Sequence, residues 1–316
     1  MRMARMHLRV GISLLAFFLW SGMAVVQGAT AESEHLFRMG FSRKMFPDVN
    51  EQDAKAAIKG WADTLVQEYS IRMDPSAELF DQVGQMIEAI HLNQVDCLSV
   101  IFGEYLALAK KVELDHLFIA RSAGQLFEQY LLLVPTDGGA KSLAELKGGT
   151  LIFHDTLRTS LALDWLDWLF LRQKTATIAR HHFGSMTRTS KVSGAVLPLF
   201  FGKADATLVT ESGFLMMCEM NPQVRKKMRV LAKSRPLIPA VMCFRKEFNS
   251  PEARPVIAAL RDLDSTLAGE QVLTLFRSEG LQEMGREALQ ITAEFYREVE
   301  ALRQVHCLDA SSVEPD

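Results

Sequence analysis

The chain has 316 residues, more than one hydrophobic core usually serves, so two compact units are expected. A hydrophobic share of 48% with 23% charged residues excludes a disordered, collagenous or repeat-built chain. The formal net charge of −3 argues against nonspecific binding of nucleic acid, and no nucleic-acid partner is expected.

The amino-terminal segment reads as an export signal. Arg2, Arg5 and Arg9 precede an almost wholly apolar run from Val10 to Val26, and Ala29-Thr30-Ala31 forms a small-residue cleavage site. Residues 1–31 are therefore expected to be a cleaved signal peptide and the mature protein periplasmic. The competing reading is a permanent anchor, for which the run is near the short limit. Cleavage removes three arginines and no acid, moving the formal charge from −3 to −6. No later stretch is long and apolar enough for a second span, and no cysteine follows the run to carry a lipid.

The mature chain alternates strand-like and helix-like segments. Residues 35–41 read as a first strand, followed by the polar loop Ser42-Arg43-Lys44. Asn50 to Asp53 reads as a helix start with acids in its first turn, and Ala57, Ile58, Trp61, Leu65 and Val66 share one face. A second strand is expected at 69–73, a helix at 79–92, and a buried strand at 95–102 closed by Gly103. Another helix is expected at 104–110, and strands at 117–121 and 129–135. The cluster at 135–139 is expected to be a hinge or lobe boundary. The pattern then restarts. A short helix at 143–146 is stopped by Gly148-Gly149. A strand at 150–153, a polar loop at 154–159 and an apolar helix at 160–172 follow. His181-His182-Phe183 reads as a short strand; adjacent strand residues face opposite sides, which disfavours one metal on both histidines. A helix is expected at 194–201, a strand at 204–209, a loop at 210–212, a helix at 214–220 and a strand at 230–232. The run from Pro239 to Phe244 reads as a strand returning to the first unit, with helices at 252–267, 269–276 and 284–308. This order predicts an α/β fold with two lobes, each a mixed sheet flanked by helices. The lobes are expected to be 32–135 with 236–316, and 136–235.

Ligands in such sheets bind beyond the carboxyl ends of strands, which points to the loops at 42–46 and 102–105. Cys97, Cys218, Cys243 and Cys307 show no metal-binding spacing. Cys97 and Cys243, in apolar strand-like runs, read as buried free thiols. Export permits a disulfide, for which Cys218 with Cys243 is the first pair to test. Trp165 and Trp168 read as packing residues. Asp164 and Asp167 share a helix face with no evident partner. GxSxG, HExxH and P-loop patterns do not occur, so no enzyme activity and no cofactor are expected.

Several stretches together resemble the phosphate/phosphonate-type periplasmic substrate-binding proteins of ABC transporters. They are Leu143-Ala-Glu-Leu-Lys-Gly148 leading to Leu151-Ile-Phe153, Phe201-Gly-Lys-Ala-Asp-Ala206, Val95-Asp-Cys-Leu-Ser99 before Tyr105, and Pro236-Leu-Ile-Pro239 to Arg245. They keep a consistent order over residues 35–300. The resemblance implies a type II periplasmic binding fold with two crossovers, hinge closure on a small ligand such as an oxyanion, and a membrane permease as partner. A monomer is expected from the fold class. A sensory module that presents its ligand to a membrane signalling partner is the alternative function.

By the same analogy four loops supply the ligand contacts. They are Ser42 with Lys44; Phe102, Gly103 and Tyr105; Asp155, Thr156, Arg158, Thr159 and Ser160; and Ser190 with Lys191, near Thr210 and Glu211. The third loop opens a helix, whose free N–H groups favour an anion, with Arg158 available for bidentate pairing. Thr159 or Ser160 can equally act as a helix cap, and Arg158 reads first as a solvated charge. Lys191 reads first as a surface lysine. Gly103 fits close approach to a ligand or a simple turn, Tyr105 lines the cleft or packs on its lobe, and Glu211 binds a ligand amine or stays exposed. Relative to the family pattern, a glycine is missing at Thr159-Ser-Leu-Ala162, Ser190-Lys191 replaces a histidine, and Glu211 takes the place of the acid after the GxADA strand.

Overall fold

The computed structural model describes residues 36–311, apart from 48, 75, 77, 174–176 and 249–252. The expected signal peptide lies outside the described residues. From the amino end, β1 (Met39–Ser42) leads to α1 (Glu51–Tyr69), β2 (Glu78–Phe80), α2 (Val83–His91), β3 (Cys97–Ile101), α3 (Phe102–Ala109) and β4 (Leu114–Arg121). The chain crosses over to β5 (Tyr130–Pro135), β6 (Thr150–His154), α4 (Ala162–Arg172), α5 (Ala179–His182), β7 (Ser185–Thr189) and α6 (Val192–Phe200). There follow β8 (Ala206–Thr210), α7 (Glu211–Met220), α8 (Pro222–Lys227) and β9 (Met228–Lys233). It returns as β10 (Ala240–Arg245), α9 (Ala253–Arg261), α10 (Leu267–Leu275), β11 (Gly280–Met284) and α11 (Gln290–Ser311).

Two sheets result, one per lobe. The first has six strands in the order β11-β4-β10-β3-β1-β2, the second five in the order β7-β6-β8-β5-β9. In each, three parallel strands lie beside one antiparallel strand that has crossed from the other half of the chain. β10 pairs antiparallel with β3 and β4, and β5 pairs antiparallel with β8 and β9. The sheets therefore share one strand plan, with β10 and β5 in equivalent places. This is the mixed α/β, two-lobed architecture expected from the alternating pattern.

Local chemistry accounts for the main elements. Asn50 caps α1 by accepting from the Asp53 N–H at 2.9 Å, and Glu51 and Asp53 favour the positive helix end. Ser70 ends the helix in the left-handed region, at φ 53°. The first four residues of β3 are buried, as a central strand covered on both faces requires. Gly40 lets β1 sit close to the neighbouring side chains: an added Cβ would meet the Phe80 ring at 2.5 Å and Leu98 at 2.7 Å. Gly40→Ala is expected to cost about 1–3 kcal/mol by overpacking, read from urea denaturation. Asp96, just before β3, is fully buried. It accepts from Arg245 Nε and Nη2 at 3.0 and 2.9 Å and from the Arg38 N–H at 2.9 Å, tying the amino ends of β1 and β3 to the end of β10.

The core does not stop at the lobe boundary. One buried cluster runs from Phe80, Met86 and Leu98 of the first lobe to Leu151, Trp165 and Phe170 of the second, and includes Phe295 and Val299 of α11. The last helix therefore packs on α4, across the back of both lobes. Arg303 reaches Asp164 at 2.8 Å and Asp167 at 2.5 Å, and Trp168 Nε1 donates to Glu298 at 2.8 Å. The two aspartates thus do have a partner, 136 residues from Asp167 along the chain.

Several sequence expectations need correction. Tyr69 ends α1 rather than opening a strand; Met73 makes only an isolated bridge to Phe37, and the second strand lies at Glu78–Phe80. His181 and His182 lie in the helix α5, not in a strand, and His182 is buried on Phe170 with Nε2 2.9 Å from the Leu143 carbonyl oxygen. The change of sheet falls between β4 and β5, at 122–129, upstream of the turn at 135–139. A strand, β11, precedes the last helix. Val66, placed on the buried face of α1, is exposed. Cys218 and Cys243 are both free, in different lobes, so the proposed disulfide is not formed; Cys97 is free and buried as well. Burial pushes the Cys243 thiol up to about 12 and raises Cys97 well above the usual thiol range. A thiol reagent is therefore expected to leave Cys97 and Cys243 unlabelled in the native protein and to label both in denaturant, read by peptide mass spectrometry.

Candidate functional site

A cleft of about 950 Å³ opens where the two sheets meet. Its floor is the pair of crossovers: Glu128 and Leu237 exchange backbone hydrogen bonds of 2.7 and 2.8 Å, joining the outgoing and returning chain. The second lobe supplies the carboxyl end of β6 with the loop after it, and the carboxyl end of β8 with the start of α7. These are the strand ends at which sheets of this kind bind ligands.

Arg158 occupies the middle of this arrangement. It belongs to the loop between β6 and α4, and its side chain is only 16% exposed. Nε donates to Glu128 Oε1 at 2.5 Å and Nη1 to the Ala120 carbonyl oxygen at 3.1 Å. The main chain is fixed as well, because the buried Tyr130 hydroxyl donates to the Arg158 carbonyl oxygen at 3.1 Å. Arg158 thus links the second lobe to the crossover and to β4 of the first. Nη2 is buried and has no hydrogen-bond partner in the protein. A guanidinium fork with two nitrogens engaged and one unpartnered has capacity for a further acceptor. Burial raises the Glu128 carboxyl above the usual carboxylate range, with Arg158 opposing that rise.

The polar groups around Arg158 are largely engaged with one another. Thr159 Oγ1 accepts from the Thr156 N–H at 2.8 Å and donates to the Thr156 carbonyl oxygen at 3.0 Å. Ser160 Oγ donates to the Pro239 carbonyl oxygen at 3.0 Å, another tie between lobe and crossover. Across the cleft Thr210 caps α7 by accepting from the Gly213 N–H at 3.1 Å, and both Glu211 oxygens accept from Lys233 Nζ at 2.7 and 2.8 Å. A second, apolar void of about 80 Å³ lies against the first-lobe sheet and shares Arg158 and Arg277 with the cleft wall. Among the described residues no group of three or more His, Cys, Asp and Glu side chains is placed to hold a metal.

The profile of the family described as "ABC transporter, phosphonate, periplasmic substrate-binding protein" matches residues 44–289. The chain belongs to that family. A search among curated proteins finds no match. Solved structures show the same fold at low identity. A binding protein component of an ABC phosphonate transporter from Pseudomonas aeruginosa superposes with a TM-score of 0.56 at 13% identity, covering 86% of this chain and 88% of its own. PhnD1 from Prochlorococcus marinus, in complex with methylphosphonate, gives 0.56 at 11% identity, with 84% and 98% covered. A Xanthomonas citri protein bound to chloride ion gives 0.58 at 15% identity, with 85% and 99% covered.

Within this phosphonate-type binding fold, the residues singled out from sequence separate into groups. Thr156, Arg158, Thr210 and Glu211 come together on the cleft wall. Thr159 and Ser160 lie behind them with their hydroxyl protons donated to backbone oxygens. Neither caps α4, which begins at Ala162. Arg158 is not the solvated charge expected from its local sequence but a buried, ion-paired one. Asp155 lies 3.7 Å from Arg188, while Ser190 and Lys191 are exposed at the start of α6. The first-lobe loops go elsewhere. Ser42 is buried and caps the turn at Arg43–Met45 by accepting from the Lys44 N–H. Lys44 Nζ approaches Glu104 Oε1 at 3.2 Å. Phe102 and Tyr105 pack in the shared core, 5.8 Å apart between ring centroids. Gly103 makes room for α11, since a Cβ there would lie 2.3 Å from the Tyr296 hydroxyl. Glu128 and Arg277 were not anticipated. Glu128 carried a signal, a lone acid between two strand-like runs, which placing the lobe boundary at 135 obscured.

Proposed function

We propose that this protein captures a small anionic solute in the cleft at the lobe junction and delivers it, as a monomer in the periplasm, to the permease of an ABC transporter. The observation that carries this is Arg158 Nη2: a buried cationic donor on the cleft wall whose remaining nitrogens are already engaged. Three acids line the cleft with it: Glu128 is paired with Arg158 through Nε, Glu211 with Lys233, and Glu219 lies on the same wall, so Arg158 offers an open hydrogen-bond donor within an ion pair rather than a free charge. Membership of the phosphonate-transporter family supports the same reading. Among the described residues no helix is long and apolar enough to cross a membrane, which suits a partner that supplies the span. The purified protein, heated with inorganic phosphate, phosphonates, sulfonates and small carboxylates in turn, tests it. A ligand present at 100 times its Kd stabilises by about 2.7 kcal/mol, a shift of a few degrees. Absence of any shift across all four classes counts against an anionic ligand.

A further inference from the structure

We infer that the end of the second lobe farthest from the cleft is a membrane-contact surface that rests on the anionic phospholipid headgroups bordering the periplasm. The inference takes the periplasmic location from the reading above and is independent of what the cleft holds. Strands β8 and β9 run towards the cleft: Thr210, at the end of β8, lies on its wall, and Lys233, at the end of β9, pairs with Glu211 there. Their amino ends, Ala206 and Met228, therefore lie at the opposite end of the sheet, five or six residues of strand away. That is about 17–20 Å.

Two stretches of chain meet at that far end. The last turn of α6 leads into Phe201-Gly-Lys203, and α8 leads into β9 through Arg225-Lys-Lys-Met-Arg229, four cations in five positions on a chain of net charge −3. They touch through Lys227, whose Nζ lies 4.6 Å from the centre of the Phe200 ring. Phe200 packs against the second-lobe core, and the neighbouring Phe201 ring, 5.1 Å away, is turned out to 65% exposure. Helix α7 runs back from the cleft, and Met220 at its end, just before α8, is 76% exposed. Lys203, Arg225, Lys226 and Lys227 are exposed too, and among the described residues none of them forms a salt bridge.

The composition selects the occupant. Interfaces between proteins are depleted in lysine and have a broad apolar centre, not one or two protruding side chains. Lysines and arginines around a few exposed apolar groups suit a bilayer surface instead. There the ring and thioether enter the headgroup boundary while the cations reach lipid phosphates. Each cation near such a surface strengthens binding about fivefold.

Co-sedimentation with vesicles of about 30% phosphatidylglycerol in phosphatidylcholine tests the inference, using protein purified from the periplasm with its amino terminus checked by mass spectrometry. Binding is expected at about 50 mM NaCl, is expected to fall at about 500 mM, and is expected to be absent from pure phosphatidylcholine. Lys226→Gln combined with Lys227→Gln is expected to weaken it about 25-fold, and Phe201→Ser roughly tenfold. All three side chains are exposed, so both variants should fold and keep the thermal response to anions. No binding to the anionic vesicles, equal binding to neutral ones, or unchanged binding by the double variant overturns the inference and leaves the anion reading untouched. Binding to poly-L-glutamate without binding to vesicles reassigns this end of the lobe to an acidic protein surface and overturns it as well.

Discussion

Arg158→Ala is expected to lower both stability and ligand affinity, the largest combined effect of any single change at the site. Removing the guanidinium leaves Glu128 only 6% exposed and without its cation, a loss that costs about 3–5 kcal/mol in comparable buried pairs. It also removes the only link that ties the second lobe simultaneously to Glu128 and to the Ala120 carbonyl oxygen. Affinity for an anionic ligand should fall by two or more orders of magnitude, the usual consequence of deleting a buried charged donor. Arg158→Lys keeps the charge but loses the planar fork and should recover only part of either quantity. Denaturation and calorimetric titration of the same preparations separate the two effects. Adding Glu128→Gln to Arg158→Ala should restore stability but not binding. An unchanged affinity in Arg158→Ala would remove the residue from the site.

The sign of the pH dependence follows from Glu128. Its folded pKa is raised by burial, so between the ordinary carboxylate value and that raised value the folded protein holds more protons than the unfolded. Stability contributed by this group is thus greatest below the ordinary value and declines as pH rises through the window. Asp164, raised by burial with Arg303 opposing, acts in the same direction. Glu128→Gln should flatten this part of the profile measured by urea denaturation between pH 4 and 7.

Trp165→Ala should cost about 3–5 kcal/mol, the range for deleting a large aromatic from a filled core. Trp165 is 2% exposed and lies 6.3 Å from the Tyr130 ring, whose hydroxyl holds the Arg158 backbone. The change therefore opens a cavity under the ligand loop. Urea denaturation gives the cost, and a weaker ligand shift in the same variant shows that the packing supports the loop.

What was legible in the sequence was local. Asn50 with its following acids marks α1, and the apolar run from Pro239 marks the strand that returns to the first lobe, because capping and burial of a whole strand leave traces within a few residues. What was lost depended on distant partners. The Ala179 N–H donates to Asp167 Oδ1, a contact from α4 that helps set α5 where histidines and phenylalanine read as a strand. Strands β7 and β11 lie at sheet edges with polar, half-exposed sequences, so they lack the alternation that marks a covered strand. Arg158 was misjudged for the same reason: its partner Glu128 lies 30 residues earlier, and nothing in Asp155-Thr-Leu-Arg158 announces it.

The helix that spans the back of both halves has a thermodynamic consequence. Two sheets that share one interior, with Phe295 and Val299 in common and Arg303 clasping Asp164 and Asp167, are not free to melt separately. Differential scanning calorimetry should give one endotherm with equal van't Hoff and calorimetric enthalpies. Arg303→Ala, by loosening the clasp, should broaden that endotherm before it divides it.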